Sequence, residues 1–192
     1  VVENDAVPLA TVMISFRCGA ISQDAGNAGL FHLYEHMLFT GNEAYPNQAA
    51  FSSALNRMGV PNWNGGTSTE YVNYYITVPS EKLADGVAFW SHAVKTPKFD
   101  KEKLDREKNV VINEIRGYHN DPEDIFSNAI ESRMFSEFPW RKDVSGPVRN
   151  IEAATVETME VIRKDFYVPK NAALLIGGAV KKADAIELAK KH

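Results

Sequence analysis

Cysteine is nearly absent from this chain: Cys18 stands alone among 192 residues. A lone cysteine cannot close an internal disulfide, so no disulfide framework supports the fold and no Cys-rich metal site is available. Its expected place is that of a small buried residue on a strand. Chains without disulfides occur in the cytoplasm and in the periplasm, and both compartments stay open. Long apolar runs are missing as well. None approaches the ~20 residues that cross a bilayer, so no membrane span is expected. No charged start followed by an apolar stretch marks a signal peptide. The chain opens on Val1-Val2 and not on Met, which reads as a processed or trimmed piece. Positive charge is in slight deficit, with 21 Lys and Arg against 25 Asp and Glu. There is no basic stripe with interleaved aromatics, which argues against a nucleic-acid partner.

What is present is enough apolar residue, 44% of the chain, to build a substantial core. Leu9–Phe16 (LATVMISF) is rich in apolar and β-branched residues and predicts a strand. Gly19–Gly29 reads as a loop. Leu30–Phe39 (LFHLYEHMLF) predicts a buried helix closed by Gly41. Asn47–Met58 predicts a second helix with Asn47 as its N-cap and Gly59 just past its end. Val60–Thr69 reads as a strand edge leading to a turn, Tyr71–Val78 as a strand and Glu81–Val94 as a helix. Lys101–Tyr118 predicts a long charged helix with an apolar stripe through Leu104, Val111 and Ile115. Asn120-Asp121-Pro122 breaks it. A helix over Glu123–Phe135, a loop over Phe138–Asn150, a helix over Thr155–Phe166, a strand over Ala172–Ile176 and a helix from Lys182 complete the chain. Mixed strands and long helices favour an α+β domain, a mixed or antiparallel sheet with helices packed on one side. No repeat or linker divides it, so 1–192 is expected to be one domain.

The chemistry is concentrated in His32, Glu35 and His36. On a helix, His32 and His36 lie four apart and share a face, so both imidazoles can close on one ion. Glu35 borders that face. A carboxylate there can take the proton of a water activated by the ion. The order His-x-x-Glu-His is that of the inverzincins. The bland alternative, two satisfied core histidines, leaves three costly polar groups in need of partners on an otherwise apolar helix. A catalytic zinc takes three protein ligands and one open position. The Lys101–Tyr118 helix offers Glu102, Glu107 and Glu114. Glu107 and Glu114 are seven apart, about two turns, and share a face. Spacing alone does not choose between them.

The wider sequence is similar to the pitrilysin/insulinase family of zinc peptidases, specifically to its metal-bearing N-terminal half. GLFHLYEHMLFTG (Gly29–Gly41) resembles the family's signature, and Tyr45-Pro46 follows it at a familiar distance. NGGTSTEYVNYYITV (Asn64–Val78) resembles its Asn-Ala-x-Thr segment and the strand after it. DREKNVVINEI (Asp105–Ile115) resembles its helix with two glutamates, and DFYVPKNAALLIGGAV (Asp165–Val180) its later strand entry. The resemblance implies an inverzincin-type domain binding one Zn2+ through His32, His36 and Glu114. Glu35 is then the general base and Glu107 a supporting glutamate. It implies a peptide substrate added to a strand edge at Asn64 and Gly65. Gly65 departs from the usual Ala, and without the resemblance Asn64-Gly65-Gly66 reads as a turn. The resemblance also implies a second homologous half-domain, in the same or another chain, and an opening strand missing before Val1. Two alternatives stand beside the peptidase: a non-catalytic structural or substrate-capture subunit, and a metal-dependent hydrolase of another bond. The donor set suits zinc best, although cobalt or manganese can occupy such sites. Trp63 and Trp140 are expected in the core more than in a cleft. His92 and His119 lie apart from the motif and are assigned no role.

Overall fold

The structure, a computed structural model, describes residues 1–118, 120–135 and 143–192. His119 and Trp140 lie outside them. The sheet is built from β1 (Val2–Glu3), β2 (Leu9–Phe16), β3 (Asn62–Thr67), β4 (Val72–Pro79) and β5 (Ala172–Gly178), in the order β1-β5-β2-β4-β3. β1 pairs parallel to β5, and the remaining pairs are antiparallel. A two-residue opening strand is therefore present where the sequence suggested none. The sheet is mixed, as the α+β reading expected.

The period of two along β4 sets the layering. Val72, Tyr74, Ile76 and Val78 are fully buried, while Asn73, Tyr75 and Thr77 are only half-buried. The buried face lies under helices. α1 (Leu30–Leu38) packs against β3, and α3 (Leu83–Lys95) against β2 and β4. α4 (Lys101–Tyr118) lies against α1. Its predicted apolar stripe is buried, with Ile112 added to Leu104, Val111 and Ile115.

α1 is held from almost every side. Leu30, Phe31, Leu33, Tyr34, Met37 and Leu38 are all buried. Truncating Leu33 or Met37 to alanine would cost about 2–5 kcal/mol. The helix starts at Gly29, whose left-handed φ of 87° and close approach both demand glycine. A Cβ there would stand 2.3 Å from the Ser145 carbonyl oxygen.

α2 (Gln48–Arg57) begins as predicted, with Asn47 Oδ1 accepting from the Ala50 amide at 2.9 Å. α5 (Pro122–Met134) is capped by Asp121, with Pro122 in its first turn. The loop expected over Phe138–Asn150 is corrected at its end. Residues 136–142 lie outside the described chain, and Val148 already starts α6 (Val148–Ala153). α7 (Val156–Phe166) opens on a capping box between Thr155 and Thr158. α8 (Lys182–Lys191) ends the chain. Cys18 is buried as expected, but it lies just beyond β2 rather than on it.

Candidate metal centre and cleft

α1, α4 and β3 converge on one point. His32 and His36 project from α1 with their Nε2 atoms 3.3 Å apart. Glu114 on α4 places Oε2 3.5 Å from His32 Nε2 and 3.3 Å from His36 Nε2. Among the described residues these three form the one group of three or more ligating side chains arranged to hold an ion. The separations can be checked against zinc. Bonds of about 2.0–2.1 Å arranged tetrahedrally put neighbouring ligand atoms about 3.3–3.4 Å apart. The three atoms lie at that spacing, so the donor set fits a small tetrahedral ion.

Glu107 sits one stage further back. Its Oε2 is 3.6 Å from His36 Nδ1, and its Oε1 accepts from Arg106 Nε at 3.2 Å. A carboxylate behind the far nitrogen of a ligand histidine fixes the ring so that the other nitrogen faces the ion. Glu107 and Glu114, alike in spacing, are separated by geometry, with Glu114 in the cluster and Glu107 behind His36. His32 has no such brace. Its Nδ1 is buried without a hydrogen-bond partner among the described residues.

The titration behaviour follows from this arrangement. Burial, aided by the neighbouring His36, pushes His32 down to about 4, so it is neutral at ordinary pH. Burial also lowers His36, but Glu107, Glu114 and Glu35 outweigh it, and its pKa is raised. Burial would raise Glu107, yet His36 and Arg106 hold it below the usual carboxylate range. Glu35, only 8% exposed, is raised by burial, against the opposing pull of His36 and Thr67. Burial thus holds a proton on Glu35 more firmly than on a free carboxylate.

β3 forms the opposite wall. Asn64-Gly65-Gly66 lies within this strand and not in a turn. β3 is the sheet's edge and, with the cluster, lines an open cleft of about 780 Å³. Asn64 and Gly65 both border the cleft, and the Gly65 amide donates to Asn64 Oδ1 at 2.9 Å. Trp63 is corrected: it is 39% exposed and lines the cleft, its ring tilted against Phe39 with centroids 5.4 Å apart. An edge strand leaves its outermost aromatic with no sheet neighbour to cover it.

Sequence reasoning missed the polar face of α5. Asp124, Asn128 and Glu131 recur at helical spacing and line the cleft together. That periodicity was the available signal. With Asp143 and the three glutamates already named, the cleft carries six carboxylates and neither Lys nor Arg among its described lining residues. No helix of the described residues is long and apolar enough to cross a membrane.

Two histidines and a glutamate converge on one point beside a buried glutamate, and the α1 pair stands in the order His-x-x-Glu-His. The sequence profile described as Insulinase (Peptidase family M16) matches residues 1–148. The chain therefore belongs to the insulinase family of peptidases. It is 23% identical over 188 residues to the probable mitochondrial-processing peptidase subunit beta of Arabidopsis thaliana, covering 98% of this chain and 35% of that protein. It is 24% identical over 187 residues to an uncharacterized zinc protease of Mycobacterium leprae, covering 97% of this chain and 42% of that one. The chain thus spans about two fifths of the length of such relatives.

Solved structures share the fold. A protease from Helicobacter pylori superposes with a TM-score of 0.87 at 22% identity, over 98% of this chain and 45% of that one. A structure described as an inactive peptidase domain of this family, from Pseudomonas fluorescens, gives 0.88 at 20% identity over 99% and 46%.

Proposed function

We propose that this chain is the metal-bearing domain of a zinc-dependent endopeptidase. His32, His36 and Glu114 would hold one zinc ion, and Glu35 would act as the general base. The observation that carries the reading is the convergence of three ligand atoms at 3.3–3.5 Å beside a buried carboxylate. Bound zinc would supply Lewis acidity, lowering the pKa of a water and polarising a peptide carbonyl.

The chain's own residues do the rest. Glu107 orients His36 through Nδ1. Glu35 takes a proton from water and can return it to the leaving amine, a role its raised pKa suits. The free edge of β3 can pair with an extended peptide by strand addition, with Asn64 and Gly65 contacting its backbone next to the cluster. The cleft is open to solvent on this chain. Covering it would fall to a second, homologous half-domain in the same or another chain, which accords with the two-fifths span. The 1–192 unit would then be one half of a clamshell, and cleavage by it alone would be slow.

Glu35→Gln tests the reading. With zinc supplied, the variant should bind metal as the parent does and lose hydrolysis of an unstructured fluorogenic peptide. Unchanged hydrolysis would refute the role of Glu35. A zinc-replete parent chain that never cleaves, even with its second half present, would favour the structural-subunit alternative, the case suggested by the inactive domain of the same fold.

A further inference from the structure

β3 contributes more than an edge. In its register with β4, Trp63, Gly65 and Thr67 pair with Ile76, Tyr74 and Val72, the residues of the buried face. By the period of two, these three positions turn toward α1. Thr67 Oγ1 donates to Glu35 Oε2 at 3.1 Å. It is the one side-chain hydrogen bond to Glu35 found among the described residues.

Oε1 lies against Gly65. A Cβ at that position would stand 2.9 Å from Oε1 and 2.8 and 3.0 Å from the tip of the Phe39 ring. Gly65 does not have a positive φ, so the backbone itself would accept an L side chain. What glycine provides here is space.

We propose that Thr67 is a positioning residue that seats the Glu35 carboxylate between α1 and β3. Thr67 fixes Oε2 from the edge strand. The inference rests on the reading of Glu35 as the base.

Two measurements on the full chain test it. The first is steady-state hydrolysis of a fluorogenic peptide with zinc content measured in parallel. Thr67→Val should lower kcat about tenfold to a hundredfold at unchanged KM and zinc content, the scale of a misplaced catalytic group. Thr67→Ser, which keeps the hydroxyl, should restore most of the loss. The second is a melting-temperature cycle over Thr67→Val, Glu35→Ala and the double variant, which needs no turnover. The shift of the double variant should differ from the sum of the single shifts. Parental kcat in Thr67→Val, or additive melting shifts, would overturn the proposal. If the parent chain turns over no peptide, the melting cycle alone decides the seat, and the missing activity counts against the catalytic reading instead.

Discussion

Glu107 and His36 form an ion pair across two helices, Oε2 to Nδ1 at 3.6 Å, and the histidine's other nitrogen faces His32 and Glu114 at 3.3 Å. On the proposed zinc site, the pair would make Glu107 a brace for a ligand rather than a ligand. Glu107→Ala should therefore weaken zinc binding without abolishing it, by about 10–100-fold. Competition with a chromophoric chelator reads this directly. Unchanged affinity in a folded variant would remove Glu107 from the site's support.

Much of the site was legible in the sequence because its parts are local. His32, Glu35 and His36 sit on a single helix, so spacing alone placed them on adjoining faces. Glu114 lies far along the chain, and nothing in the helix period told it from Glu107. Both face α1, and only the packing of α4 decides which carboxylate meets both Nε2 atoms and which meets Nδ1. Thr67 was invisible for the same reason: its partner is across the cleft, on α1. Trp63 was misjudged because bulk apolar residues are usually covered, and edge position is a property of sheet order that sequence does not print. The fold was read well where capping residues and apolar periods coincide, as at Asn47, Thr155 and the α4 stripe. It was read poorly at β1, whose two residues carry no pattern, and at α6, which starts directly after Pro147 inside a Pro- and Gly-bearing stretch.

Zinc affinity should fall on acidification through one histidine. A ligand imidazole must be neutral, so protonation favours the metal-free chain. His36 is raised above the ordinary histidine value, and His32 is lowered to about 4. As pH drops through the His36 range, affinity should fall about tenfold per pH unit, with one proton displaced on binding. Titration calorimetry in buffers of different ionisation enthalpy counts that proton. Binding that stays constant until near pH 4 would contradict the assignment.

Cys18 should be inert in the folded chain. Burial pushes its thiol up to about 12, against a smaller opposing contact from the Val72 backbone, so almost no thiolate exists at neutral pH. A disulfide-exchange reagent should label it slowly when native and promptly in denaturant. Prompt native labelling would mean that the region beyond β2 opens.

The carboxylates of the cleft should bias substrate choice toward Lys and Arg side chains. Asp124→Asn and Glu131→Gln should raise KM for a cationic peptide several-fold, leave a neutral peptide nearly unaffected, and weaken the salt dependence of KM. Equal effects on both peptides would show that cleft charge does not select.

The proposed function requires one ion held by His32, His36 and Glu114. Elemental analysis of the purified chain, beside Glu114→Ala and His32→Ala, tests it most directly. About one zinc per parent chain is expected, with sharp loss in both variants while each remains folded. A folded, chelator-free parent without zinc after incubation with the ion, or full zinc retained in Glu114→Ala, would contradict it.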